Sequence, residues 1–440
     1  MRFAPHTEAE VERMLATIGV GTVDDLFDEI PDEVRLDRPL DLAPGVSEME
    51  IVADLRALAS RDRHADELVC FAGGGAYDHY VPSLVWALAG RSEFYTSYTP
   101  YQPELSQGVL QALFEFQSMI CELTAMEVSN ASLYDGATAL VEAVNMARAG
   151  DRTRVLVSGG VDPRLIETLT AYGRGAGYAP EIFPVPGGRG GEPGVGPDVA
   201  AVIVQHPNVY GILEPVRELV GAARDGGAYA IEVFDPLSLG VLAPPGELGA
   251  DIAVAEGQSL GNHLNYGGPY LGVIAARMDD VRRMPGRIVG ETVDADGKPG
   301  YVLTLQAREQ HIRREKANSN ICTNQSLMAI AATIYLGWLG PAGLGELGRQ
   351  CRSRAAYAAE RLCAVPGVEL LFPGAPFFKE FTLRLPMPAA EVRDALLDHG
   401  ILGGIPLPDA DGHALLVAVT EKRDRGEIDA YAEALAEVLA

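Results

Sequence analysis

Between Arg154 and Ala275 the chain alternates short apolar runs, rich in β-branched residues, with stretches of helical character. Val155–Ser158, Ala200–Gln205, Tyr229–Asp235 and Ile252–Ala255 read as strands, and Leu271–Ala275 as a return strand. Asp162-Pro163 opens a helix as cap and first helical position. Such alternation dictates a mostly parallel sheet covered by helices, the α/β class. Ligands of these sheets bind at the carboxyl ends of the strands. His206, Asp235 and Gln258 each follow a strand end, so the pattern brings them toward one site.

Composition narrows the function. The 440 residues are 48% hydrophobic and carry a formal net charge of -26. A field of that sign repels nucleic acid and anionic membrane, so neither is an expected partner. The five cysteines include no CxxC pair, which argues against a disulfide framework or a zinc site. Reduced thiols fit a cytoplasmic protein, and the N-terminus turns acidic too soon for a signal peptide. The uncharged run Ser326–Gly345 is long enough to span a bilayer. Gly337, Gly340, Pro341 and Gly343 interrupt it, so it reads as a buried helix.

Residues 1–66 look like a helical arm, with Thr7/Glu10 and Ser47/Glu50 as capping boxes. Residues 67–325 hold the α/β pattern, and 326–440 read as a small α+β domain whose Gly400–Gly404 is a tight turn. Pro184–Pro197 reads as a flexible surface loop. The glycines of FAGGGAYDHYVPS (Phe71–Ser83) let the backbone pass close to a ligand or to another segment. Tyr95, Tyr98, Thr99 and Tyr101 crowd a loop broken by Pro100 and Pro103, which suits contact with a small molecule or a protein. Asp135-Gly136-Ala137-Thr138 opens a helix, where free N–H groups suit a phosphate, although the pattern favours plain capping by Asp135. Arg308, Arg313, Arg314 and Lys316 form a basic stretch next to the small polar ANSNICT.

Four segments together carry a resemblance over nearly the whole chain. They are FAGGGAYDHYVPS, YTPYQPELSQGVLQALFEFQSMICELTAMEVSNASLYDGATA, GQSLGNHLNYGGPYLG and GYVLTLQAREQHIRREKANSNICT. In kind and order they resemble the P-protein of the glycine cleavage system, in particular the first (alpha) subunit of its split form. Two departures are local: Asn318 stands where the family usually has Thr, and Asp162 where it often has His. The resemblance implies the aminotransferase-like type I fold of enzymes that use pyridoxal phosphate (PLP). It implies a heteromer with a second P-protein subunit, two of each. It also implies decarboxylation of glycine and transfer of the aminomethyl group to the lipoyl arm of the H-protein, with the T- and L-proteins completing the cycle.

A PLP enzyme needs a lysine at a strand-to-loop junction, because only an amine forms the imine. The chain has four lysines, Lys298, Lys316, Lys379 and Lys422, and none stands at such a junction. Gln258 or Ser259 occupies the expected place. The cofactor is therefore expected on the partner subunit. Gly136, Ala137, Thr138, His206 and Asp235 are expected to form a vestigial cofactor pocket. Tyr95, Tyr98, Thr99, Lys316, Ser319 and Asn320 are expected to reach the substrate or the partner's site. No metal site is expected. Two other readings are an independent PLP-fold enzyme using an unusual residue and a structural or regulatory pseudoenzyme.

Overall fold

The computed structural model describes residues 5–36, 38–148, 152–408 and 411–440. The chain divides into two compact units, Met1–Arg63 and His64–Ala440. In the first, helices Glu8–Ile18 and Glu48–Ala59 start at the two capping boxes read from the sequence. The Glu10 carboxylate accepts from Thr7 N at 2.7 Å and the Glu50 carboxylate from Ser47 N at 2.8 Å. Each box satisfies donors that a helix start leaves open.

The second unit is built on a seven-stranded sheet. Its strands are β1 (Val128–Ser129), β2 (Arg154–Ser158), β3 (Pro180–Phe183), β4 (Val199–His206), β5 (Tyr229–Phe234), β6 (Ile252–Glu256) and β7 (Gly272–Ala276). Their spatial order is β1-β7-β6-β5-β4-β2-β3. The pairs among β2 to β6 are parallel, while β7 runs antiparallel to both β6 and β1.

Alternation along each strand sends successive side chains to opposite faces. Val155, Val157, Ala201, Ile203, Ile231, Val233, Ile252 and Val254 pack on one face with helix Gly136–Ala147. Phe234, Ala253, Ala255, Val273 and Ala275 pack on the other with helix Gln107–Thr124 and the start of helix Ser326–Cys363. Both faces are covered, which explains why the strands read as continuous apolar runs.

Helix Ser326–Cys363 is interrupted at Gly340, whose φ of 59° and ψ of 177° precede Pro341. Its first half lies in the large core, with Met328, Ala331 and Tyr335 buried. Its second half packs Ala355, Ala358 and Leu362 against a four-stranded antiparallel sheet. That sheet runs in the order Glu369–Leu370, Glu380–Arg384, Ala414–Ala418, Ile405–Pro406.

Two local readings need correction. Gly400–Gly404 is not simply a turn: Ile401–Leu402 pairs in parallel with Val69–Cys70. Val69 N and Phe71 N donate to Gly400 O and Leu402 O at 2.9 and 2.8 Å, and these long-range bonds hold the segment extended. Pro184–Pro197 is pinned rather than loose, because Asn208 Nδ2 donates to Gly188 O at 2.7 Å and Gly190 N to the Glu214 carboxylate at 2.6 Å.

Glu232, on β5, is fully buried, and neither carboxyl oxygen has a hydrogen-bond partner in the protein. Burial alone pushes its carboxyl up from 4.5 to about 8. An acid whose pKa is raised in the folded state favours folding below its unfolded pKa and loses that advantage as pH rises through the folded one. Stability should therefore fall between about pH 4.5 and pH 8, by on the order of a few kcal/mol from this group. In Glu232→Gln, urea unfolding across that range should show a flatter pH dependence. An unchanged slope would mean that Glu232 is ionised and hydrated.

Candidate functional site

The carboxyl ends of β4, β5 and β6 open onto a cavity of about 240 Å³. The glycine loop (Gly74 to Tyr77), the starts of helices Gly136–Ala147 and Pro163–Ala176, and Phe378 to Glu380 close it. Gly136 is required here by close approach: a Cβ on it would lie 2.8 Å from Glu256 N. The helix start can thus sit directly on the end of β6.

The charged groups around the cavity are paired internally. Lys379 is 1% exposed at its side chain, and its Nζ lies 2.8 Å from Asp235 Oδ2. The same ammonium stands 3.1 Å from His79 Nε2 and 3.4 Å from the centre of the Tyr77 ring. An ammonium only donates, so His79 Nε2 accepts and the ring proton sits on Nδ1. Nδ1 then donates to Glu421 Oε2 at 2.6 Å. Burial, with the Lys379 charge second, lowers the imidazole pKa and keeps the ring neutral. Across the loop, Glu380 accepts from Gly74 N at 2.7 Å and from the Tyr77 hydroxyl at 2.9 Å.

His79, Cys351 and Glu421 place ligand-type atoms within 4.8 Å of one another, a spacing that a metal could use. Their chemistry opposes it. Burial pushes the Cys351 thiol up to about 12, and the thiol instead donates to Glu421 Oε2 at 3.6 Å. The Lys379 ammonium on the far side of the His79 ring would repel a cation. The cluster is a hydrogen-bonded core.

At the end of β6, Glu256 Oε2 accepts from Gly136 N at 3.0 Å, and Oε1 accepts from Gln258 N and Leu271 N, both at 3.0 Å. Burial outweighs these bonds and brings the carboxyl up to about 7. Asp135 Oδ1 accepts from Thr138 N at 2.7 Å, so the capping reading of this helix start holds. Gln258 is a clamp. Its Oε1 accepts from Tyr77 N at 2.8 Å, and its Nε2 donates to Tyr77 O at 3.2 Å and to Asn262 O at 2.7 Å. The buried Ser259 hydroxyl has no partner in the protein.

The expected pocket residues separate. Gly136, Ala137 and Asp235 line the cavity, whereas Thr138 faces its own helix cap. His206 is a correction: it does not line the cavity. Its neighbours Gln205 and Pro207 do, and alternation turns the imidazole to the other side. There Nδ1 accepts from Glu214 N at 3.0 Å, and burial lowers its pKa to about 4.

None of Tyr95, Tyr98, Thr99, Lys316, Ser319 and Asn320 lines the cavity. Tyr95, Tyr98, Lys316 and Asn320 are exposed. Ser319 Oγ accepts from Ile321 N at 3.1 Å, and the Thr99 hydroxyl is buried without a partner. A residue that the sequence reading missed joins these two groups. The Arg287 guanidinium lies 5.6 Å from the centre of the Tyr101 ring. It donates to Cys322 O at 2.9 Å and Asn324 Oδ1 at 2.8 Å. The tyrosine loop and the segment after Lys316 are therefore neighbours on one face. In the sequence Arg287 is one arginine in RRMPGRIVG, without a distinguishing signal.

The profile of the family "Glycine cleavage system P-protein" matches residues 1–435. This chain belongs to that family. Two relatives, each a "Probable glycine dehydrogenase (decarboxylating) subunit 1", are similar along their whole length. The one from Moorella thermoacetica is 51% identical, with 100% of both chains covered. The one from Chlorobium limicola is 50% identical, covering 99% of this chain and 100% of the relative. A crystal structure of glycine decarboxylase (P-protein) in inhibitor-bound form superposes with a TM-score of 0.92 at 48% identity, covering 100% of each chain.

The P-protein chain described here thus takes the place of subunit 1 of a glycine decarboxylase, and that designation implies a second subunit. Solved enzymes at 16 and 17% identity share the PLP-dependent type I fold alone. The cavity residues of this chain do not fit the PLP that such a fold implies. No lysine stands in the loop after β6, the helix N-terminus holds the Glu256 carboxyl, and Asp235 is already paired with Lys379.

A buried ion pair that loses one member leaves an unpaired charge, whereas loss of both is tolerated far better. Lys379→Met should therefore lower unfolding stability by about 3–5 kcal/mol. Lys379→Met/Asp235→Leu should recover most of that loss in urea titrations. Additive losses would show that the two groups do not stabilise one another.

Proposed function

We propose that this chain is the subunit without the imine-forming lysine in a heteromeric glycine decarboxylase, assembled as two of each subunit in the cytoplasm. On this reading the partner subunit supplies the lysine and holds PLP, which acts as the electron sink for loss of CO2 from glycine. The aminomethyl group then passes to the lipoyl arm of the H-protein, and the T- and L-proteins complete the cycle. The observation that carries the reading is a full-length subunit-1 likeness joined to a strand-to-loop junction that has Gln258 or Ser259 where the lysine is expected.

The contribution of this chain lies on the exposed face made by Tyr95, Tyr98 and the segment from Lys316 to Asn320. Hydroxyls and amides there bind a glycine carboxylate or a neutral lipoyl arm without the repulsion that Asp or Glu would bring. Lys316 and the neighbouring arginines bias the face toward anions. Arg287 holds the two halves of the face together through Tyr101, Cys322 and Asn324. The fully satisfied interior around Lys379 favours a second role for the rest of the chain, as a rigid mount for that face.

The test is glycine–CO2 exchange by the assembled heteromer carrying Tyr95→Phe or Tyr98→Phe. Loss of one hydrogen bond to a charged group costs about 1.5–3 kcal/mol, roughly a ten- to hundredfold drop in rate. Exchange unchanged in both variants, with assembly intact, would reduce the loop to a structural contact.

A further inference from the structure

We infer that the cofactor-type pocket of this chain is closed to PLP and other phosphate esters by three internal groups, so that restoring a lysine alone does not reopen it. The inference rests on the family placement and is independent of the tyrosine loop.

Glycine-rich helix starts receive phosphate through free N–H groups. Here Gly136 N donates to Glu256 and Thr138 N to Asp135, at 3.0 and 2.7 Å. Asp135 only caps its own helix, but an incoming phosphate dianion meets the Glu256 carboxyl where it needs the Gly136 donor. The Asp235 carboxylate stands at the carboxyl end of β5, where an acid can pair with a pyridinium nitrogen. Its counter-charge is already supplied, because Lys379 Nζ sits 2.8 Å away under the Tyr77 ring. Gln258, at the strand-to-loop junction where the imine-forming amine is expected, is tied to both backbone groups of Tyr77 and to Asn262 O. The glycine loop is fixed by the same Gln258 and by Glu380 on Gly74 N. Each feature that would grip the cofactor is therefore answered by a side chain of this chain. The carboxylate replaces the phosphate, the ammonium replaces the pyridinium, and the amide replaces the imine.

The test uses the purified full chain, folded as judged by circular dichroism. Wild type, Gln258→Lys, Glu256→Ala/Gln258→Lys and Glu256→Ala/Gln258→Lys/Lys379→Met are incubated with PLP and reduced with borohydride. The phosphopyridoxyl group is then mapped by peptide mass. The expected result is no adduct at position 258 in wild type or in Gln258→Lys, and an adduct there in the triple variant. An adduct at 258 in Gln258→Lys overturns the inference. An adduct already complete in the double variant overturns the part assigned to Lys379.

A second measurement covers failure of the triple variant to fold. Inorganic phosphate, against chloride at equal ionic strength, should raise the melting temperature of Glu256→Ala and leave wild type unmoved. Equal responses of the two proteins overturn the part assigned to Glu256. No readout involves glycine turnover, so these outcomes separate from those of the tyrosine variants.

Discussion

The buried ion pair between Lys379 and Asp235 is the constraint on which the interior of the second unit turns. It joins the carboxyl end of β5 to the residue preceding strand Glu380–Arg384, and hence the large sheet to the small antiparallel one. A desolvated ammonium needs its donors used. Asp235, the Tyr77 ring and His79 Nε2 use them. That choice fixes the His79 tautomer, which orients Nδ1 toward Glu421, and Glu421 in turn accepts from Tyr80 N at 2.6 Å. The buried charge therefore helps set the path of the glycine loop, together with Glu380 on Gly74 N and Gln258 on Tyr77.

The same logic separates two regions of this chain. The cavity interior is polar but internally balanced, with Glu256, Glu380 and Gln258 all held by backbone N–H groups. The outward face around Tyr95, Tyr98 and Lys316 leaves its polar groups exposed, and only its base is anchored, through Arg287. Groups that are balanced against one another serve rigidity. Groups left exposed on a rigid base are the ones available to a ligand or partner.

Much of this was legible along the chain. The continuous apolar runs between Val155 and Ala255 marked the parallel strands, because a sheet covered on both faces demands them. Thr7/Glu10 and Ser47/Glu50 marked the helix starts, since capping is local chemistry over four residues. Asp235, Gly136 and Ala137 were placed at the cavity because strand ends and helix starts converge in this topology. His206 was misplaced because alternation turned it to the far side. Arg287 was invisible, since its partners Tyr101, Cys322 and Asn324 lie far from it in sequence.

The sequence by itself determined the fold class, the family motifs and the absence of an imine-forming lysine at its junction, all of which depend on residue type and local order. The tertiary structure decided the pairing. Lys379 and Asp235 are well separated along the chain, as are Glu256 and Gly136 or Gln258 and Tyr77. No periodicity links such residues. Which buried charge answers which is set only when the sheets close over them, because removal from water is what makes each partner obligatory.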